Sequence, residues 1–175
     1  MEDFFSSENL NFHKEYLRQE RIRYSVYEIS YPEIKDKSLF ELKHMRLGDD
    51  KGKIIGMKAD IILHDVFFKS FGNRYEASEA VRGQYRSEQI FLYELYEASR
   101  EGIGFTVVYI DRGKITISSG EKFLESRREI IPLLTIDLCE HAYFLDYGFN
   151  KEEYLKNAIS FLNLKKIEEK FSGRH

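Results

Sequence analysis

The greatest chemical capacity in the chain lies in Thr135-Ile136-Asp137-Leu138-Cys139-Glu140-His141-Ala142-Tyr143. Asp137 stands where an apolar run ends. His141 follows four residues later, close enough to share a metal ion with it if the chain turns helical there. An acid and a histidine at that spacing also describe an ordinary surface charge pair, so the segment alone leaves both readings open. Two further histidines weigh on the choice. His13 recurs on one stripe with Leu10, Leu17 and Tyr24, and His64 on another with Met57, Ile61 and Phe68, each on the apolar side of a helical pattern. Three imidazoles and one carboxylate make up the donor set of a mononuclear metal site. Neutral imidazole and carboxylate suit Fe or Mn, and the absence of thiolates argues against a structural zinc.

These donors need elements to hold them. Ser7 is placed to cap a first helix carrying the Leu10, His13, Leu17 and Tyr24 stripe, which breaks at Ser30-Tyr31-Pro32 because a residue before proline is pushed out of the helical region. A charged stretch from Lys35 to Gly52 reads as a short helix and a loop, with His44 solvated. The chain is helical again from Ile54 to Phe71, with Gly72 as its stop. Two antiparallel helices would then bring His13 and His64 together. Gly72 to Arg86 is polar and weakly patterned, and Ser87 starts a helix running to about Arg100.

The period changes after Gly102-Ile103-Gly104. Phe105 to Ile110, the turn Asp111-Arg112-Gly113 and Lys114 to Ser118 read as a hairpin, and Ile131 to Ile136 as a third strand with Pro132 near its start. Asn150 and Glu153 form a capping box for a helix bearing Tyr154, Leu155, Ala158 and Leu162, and an amphipathic stretch reaches Phe171. The expected fold is α+β: an N-terminal α-helical hairpin domain over 1–85 and a C-terminal α+β domain over 86–175, with a small three-stranded sheet flanked by helices.

Composition narrows the partners. With 42% hydrophobic and 33% charged residues, and only two prolines, 175 residues are enough for a packed core, and disorder is excluded. Lys and Arg number 27 against 30 Asp and Glu, so there is no basic field to hold a phosphate backbone and no nucleic acid partner is expected. No apolar run approaches the roughly 18 residues that cross a bilayer, so no membrane is expected either. The single cysteine, Cys139, has no partner for an internal disulfide, and Met-Glu-Asp-Phe-Phe-Ser lacks the marks of a secretory signal, which makes a cytoplasmic location the expectation.

The segment Asp137-Leu138-Cys139-Glu140-His141-Ala142-Tyr143 resembles the iron/manganese superoxide dismutase signature Asp-x-Trp-Glu-His-Ala-Tyr, with Leu133-Leu134-Thr135-Ile136 before it and Leu145-Asp146-Tyr147 after it as in that family. Glu8-Asn9-Leu10-Asn11-Phe12-His13 and Ala59 to Phe68 are similar to the two helical segments that carry the family's first ligands. Gly102-Ile103-Gly104-Phe105 resembles the Gly-Ser-Gly-Trp that opens its sheet, and Phe161-Leu162-Asn163 its final Val-Asn-Trp. The resemblance implies an antiparallel sheet and one Fe or Mn ion per chain held by His13, His64, Asp137 and His141. It also implies superoxide as substrate, converted to oxygen and hydrogen peroxide with proton uptake.

Other positions of the family pattern fall on unexpected residues. The funnel tyrosine corresponds to Arg21 and its paired histidine to Leu17. An arginine there would attract an anion but relay no proton, and it equally reads as a solvated helix residue. The glutamine that serves the metal-bound solvent corresponds to Asp60 or Glu101, both acids, each of which either faces the metal or faces water. Family tryptophans correspond to Phe105, Cys139 and Phe68, a tyrosine to Phe67 and an arginine to Lys151. Tyr143 keeps its place in the signature and is taken with Arg21, Asp60, Glu101 and Glu140 as a candidate catalytic residue. The resemblance further implies that Glu140 crosses a homodimer interface to the partner's ligand histidine, the counterpart of His141, with an interface tyrosine replaced by Phe144.

Three functions compete on these residues. A superoxide dismutase accounts for the full donor set. A metal-holding protein that has lost fast dismutation and serves a structural or redox-sensing role accounts for Arg21, Leu17, Asp60 and Glu101. A different metalloenzyme using an open coordination position ranks below both.

Overall fold

A computed structural model describes residues 4–72, 79–126 and 129–172. Helix α1 (Ser7–Ser30) buries Leu10, His13, Leu17 and Tyr24 along one stripe, as the spacing predicts. Its cap is Ser6, not Ser7. Ser6 is the residue with extended backbone, and its hydroxyl accepts the Asn9 amide at 3.1 Å, whereas Ser7 is already inside the helix. The chain breaks at Tyr31-Pro32 and re-forms as the short α2 (Leu39–His44), opened by a reciprocal capping box between Ser38 and Glu41. His44 is exposed, as expected.

Helix α3 (Lys51–Ser70) runs back along α1, so that His64 meets His13 near one end of the pair while Lys58 lies over the Tyr24 ring at the other. Its buried residues are Ile54, Ala59, Leu63, His64, Phe67 and Ser70, whereas Met57, Ile61 and Phe68 are half-buried. Of the expected stripe only His64 is among these buried residues, because α3 packs against α1 on one side and against a strand on the other.

Helix α4 (Glu79–Tyr85) lies in the stretch read from sequence as weakly patterned; residues 73–78 of that stretch lie outside the described residues. Helix α5 (Glu88–Glu101) starts at its Ser87 cap. Strands β1 (Phe105–Asp111), β2 (Lys114–Ser119) and β3 (Pro132–Asp137) form an antiparallel sheet in the order β2-β1-β3, with a register shift between Val108 and Tyr109. The fold class matches the α+β expectation. Helix α6 (Gly120–Glu125), not anticipated, follows β2 directly. Helices α7 (Glu140–Tyr147), α8 (Lys151–Ser160) and α9 (Lys165–Ser172) follow, and Leu162 falls just beyond α8. Asn150 caps α8 as expected by accepting the Glu153 amide. The Glu153 carboxylate, however, accepts from the Asn150 side chain and not from its backbone amide, which bonds the Tyr147 carbonyl, so the expected box is half formed.

β3 is buried along its whole length, and a continuous core joins Leu10, Phe67, Phe91, Leu134, Ile136, Tyr154 and Leu155 across both halves of the chain. A smaller cluster of Tyr24, Ile34, Leu42, Leu47 and Ile54 closes the far end of the helix pair. Burial on this scale, at about 25 cal/mol per Å² of apolar surface, is what holds the short elements in place.

Candidate metal centre

Strand β3 delivers Asp137 to the centre of the molecule. Thr135, two residues earlier, ties the strand to α3: its amide donates to Ser70 Oγ at 2.9 Å and its hydroxyl to the Leu63 carbonyl at 2.9 Å. At the strand end the Leu138 amide donates to the Gly104 carbonyl at 2.7 Å, and Gly104 takes a φ of +71° to present it. Gly102 allows the same close approach, since a Cβ there would stand 2.8 Å from Leu138 Cδ1 and 2.9 Å from the Ala98 carbonyl. The Tyr154 hydroxyl donates to the Asp137 carbonyl at 2.7 Å.

The Asp137 carboxylate is divided in its tasks. Oδ1 accepts the Cys139 amide at 2.9 Å, and Oδ2 points at three imidazoles. His13 Nε2 is 3.2 Å away, His64 Nε2 3.3 Å and His141 Nε2 2.9 Å. His64 Nε2 and His141 Nε2 are themselves 3.2 Å apart, and one donor atom from each of the four residues lies within 4.8 Å of the others. Three elements bring the histidines here: α1 carries His13, α3 carries His64, and the first turn of α7 carries His141. Helix α7 is tied to α1 by Asn9, whose Nδ2 donates to the Ala142 carbonyl at 3.1 Å and to Asp146 Oδ2 at 2.9 Å.

This arrangement fits a cation. Donors bound to one ion at about 2.0–2.2 Å stand roughly 3.0–3.6 Å apart at angles of roughly 90–120°. The separations of Asp137 Oδ2 from the three imidazoles and of His64 from His141, 2.9–3.3 Å, are close to that spacing. His64 Nδ1 lies 2.8 Å from the Asp60 carbonyl, which only accepts, so the proton of neutral His64 sits on Nδ1 and the Nε2 lone pair faces Asp137 and His141. His13 Nε2 is fully buried without a hydrogen bond, a costly state for a polar atom. A positive ion among the four would relieve both.

Protonation equilibria in the cluster follow from crowding. Burial works to raise the Asp137 carboxyl, but the three imidazoles hold it well below the usual carboxylate range. Burial pushes His13 below its ordinary value against the pull of Asp137. At His64 burial acts in the same downward direction, yet Asp137 and Asp60 outweigh it and leave the imidazole above its ordinary value.

The candidate catalytic residues are placed unevenly. Asp60 lies beside His64, with Oδ1 3.5 Å from His64 Nδ1, and its buried Oδ2 has no hydrogen-bond partner; burial raises its carboxyl, with Asp137 and Glu20 adding to the effect. Asp60 also borders a cavity of about 310 Å³ between Gly56, Leu63, Gly104 and Phe105. Tyr143 is buried and stacks on Tyr154 at 4.8 Å, a packing position. Arg21 is 54% exposed and pairs with Asp65 on the outer side of the helix pair. Glu101, at the end of α5, is 75% exposed and pairs with Arg100. Within one chain, therefore, neither Arg21 nor Glu101 is brought to the cluster. Glu140 is exposed at the start of α7. Cys139 is half-buried, and burial, helped by Asp137, pushes its thiol up to about 12, away from thiolate chemistry. Lys151 donates to the Gly102 carbonyl at 2.9 Å.

Three contributors escaped the sequence reading. Asn9 and Thr135 position donors through bonds to residues distant along the chain, which no local pattern marks. Tyr16 stacks on His141 with ring centroids 4.1 Å apart and planes 17° from parallel. Its spacing of three residues from His13, on the same helix face, was the one available signal.

Comparison with known proteins agrees with this architecture. The family model for the C-terminal domain of iron/manganese superoxide dismutases matches residues 73–170, more than half of the chain. The chain belongs to that family. Among curated relatives, a superoxide dismutase [Mn] of Chlamydia muridarum is 40% identical over 57 residues, 33% of this chain and 28% of that protein. A probable superoxide dismutase [Fe] of Bacillus subtilis is 29% identical over 120 residues, 62% of this chain and 43% of that protein. A superoxide dismutase [Fe] of Tetrahymena pyriformis is 36% identical over 52 residues, 30% of this chain and 26% of that protein. The chain thus spans less than half the length of each of these relatives.

Proposed function

We propose that the chain is a superoxide dismutase that holds one Fe or Mn ion between His13 Nε2, His64 Nε2, Asp137 Oδ2 and His141 Nε2. The observation that carries this reading is the convergence of those four donor atoms within 4.8 Å of one another. When bound, the ion supplies a one-electron couple that oxidises one superoxide to oxygen and reduces a second to peroxide. The chain's own residues prepare that chemistry. The Asp60 carbonyl keeps the proton of His64 on Nδ1 and its Nε2 free, and the Cys139 amide fixes Asp137 so that Oδ2 faces inward. Lys151, held at the Gly102 carbonyl and acting electrostatically on Cys139, places a positive charge near the ligand segment, which favours approach of an anion.

The reading extends to assembly and organisation. A homodimer would set Glu140 of each chain against His141 of the other. It is supported by the exposure of Glu140 and by the exposed apolar side chains Phe144, Leu145 and Phe149 that follow it. The helical unit 1–85 and the α+β unit 86–175 would then share the metal between them, two donors from each. A second reading, a metal-holding protein without fast dismutation in a structural or redox-sensing role, draws on the outward placement of Arg21 and Glu101.

Elemental analysis and a superoxide assay test the proposal together. Wild-type protein expressed with both metals carries close to one Fe or Mn per chain and consumes superoxide, and His64→Ala removes the activity. Metal-free wild-type protein would refute the site; loaded protein that scavenges no faster than the aqueous ion would leave the second reading standing.

A further inference from the structure

The four donors are not held equally. Asp137 is fixed by the Cys139 amide and His64 by the Asp60 carbonyl, while His13 is wedged against the Phe67 and Phe68 rings at 4.8 and 5.0 Å. His141 differs on every count. It is 19% exposed where the other three are at 1% or less, it sits in the first turn of the eight-residue α7, and among the described residues nothing hydrogen-bonds its Nδ1. An imidazole so placed is free to rotate about its side-chain bonds and carry Nε2 off the common point.

Among the described residues, beside the contacts of Nε2 with Asp137 and His64, one contact holds the plane of the ring against that rotation. Tyr16 lies almost flat on His141, centroids 4.1 Å apart at 17°, and its ring also reaches His64 at 5.2 Å and 35°. Tyr16 is half-buried and rises from α1 three residues after His13, so the helix that supplies one donor also supplies a wall for another. The wall covers a face of the one donor ring that water reaches.

We infer that Tyr16 is a positioning residue for His141, holding the imidazole plane by the flat face of its ring so that Nε2 stays on the point shared with His13, His64 and Asp137. This deepens the metal-centre reading and rests on it. The ring carries the role and the hydroxyl does not, which separates two substitutions. Tyr16→Phe keeps the stack and Tyr16→Leu removes it at similar bulk.

The test is competition for Mn²⁺ against a chelator, with the electron paramagnetic resonance spectrum of the bound ion as a second readout. Tyr16→Phe is expected to match wild type in affinity and spectrum. Tyr16→Leu is expected to bind about 10- to 100-fold more weakly, the range found when support for a metal ligand is lost, and to show an altered spectrum. A Tyr16→Leu protein with wild-type affinity and spectrum would overturn the inference, as would a Tyr16→Phe protein that loses as much as Tyr16→Leu. The metal-free protein gives an independent arm. The His141 Cε1 proton resonance should be displaced by the Tyr16 ring current in wild type and Tyr16→Phe and should return toward its unstacked position in Tyr16→Leu. An undisplaced resonance in wild type refutes the stacking itself. Wild type that binds no Mn²⁺ yet shows the displaced resonance refutes the metal-centre reading while leaving the stack in place, so the two failures are distinguishable.

Discussion

The Thr135 hydroxyl donates to the Leu63 carbonyl at 2.9 Å, and that bond joins the strand bearing Asp137 to the helix bearing His64 at the residue just before the histidine. Both partners are buried, and the Thr135 amide adds a second tie to Ser70 Oγ. Thr135→Val keeps the shape and the strand propensity while removing the hydroxyl. The expected loss is about 0.5–1.5 kcal/mol, read as a lower urea midpoint at unchanged slope. The same variant should release metal to a chelator faster than wild type, because the relative position of the two donors is no longer fixed at that point. An unchanged midpoint would show that the hydroxyl bond contributes nothing net.

Asn9 plays the corresponding part between α1 and α7. Its side chain is fully buried and its Nδ2 serves both the Ala142 carbonyl and Asp146, one residue and five residues beyond His141. Asn9→Ala should cost about 1–3 kcal/mol, since it removes both bonds and leaves the Ala142 carbonyl short of a partner. Chemical denaturation measures this directly. A cost below half that range would mean that water replaces the amide.

The pH dependence of α2 has a defined sign. Glu41 completes the capping box, and the Ser38 amide, with Lys37 and the Ser38 hydroxyl, lowers its carboxyl from the ordinary 4.5 to about 2. A carboxyl depressed on folding adds stability that is fully present above about pH 4.5 and is lost as pH falls through about 2. Glu41→Gln should flatten the stability profile within that window and leave it unchanged at neutral pH except for a constant offset. A carbon-detected carboxyl titration of Glu41 that gives an ordinary value would contradict the capping contact.

Metal removal should be felt by the whole chain. An ion that binds only the folded state stabilises it by about 2.7 kcal/mol when free metal is near 100 times Kd, so adding a chelator should lower Tm and restoring Mn²⁺ should raise it again. In His141→Ala that difference should vanish. Acid should also release the metal, because protons compete with it for three imidazoles and a carboxylate. A Tm indifferent to chelator in the wild type would argue that the cluster holds nothing.

Much of this was legible in the sequence because it is periodic or local. The Leu10, His13, Leu17 and Tyr24 stripe placed a histidine inward, the glycines before Phe105 marked the start of the sheet, and Asn150 with Glu153 marked a helix start. What stayed hidden was short or tertiary. α4 and α6 are seven and six residues long, too brief for a periodic signal to accumulate. The doubly buried surface of α3 depends on its lying between α1 and β3. Of the candidate catalytic residues, Asp60 lies beside the cluster because it precedes His64 by one helical turn. Arg21 and Glu101 instead sit at exposed positions with ion-pair partners of their own, which sequence correspondence alone does not reveal.

Diffraction from crystals of Mn-loaded protein, with data collected on either side of the manganese absorption edge, addresses the four-donor site itself. A single strong anomalous peak is predicted among His13 Nε2, His64 Nε2, Asp137 Oδ2 and His141 Nε2. Density for the four side chains with no anomalous signal between them, or a peak seated on other residues, would contradict it.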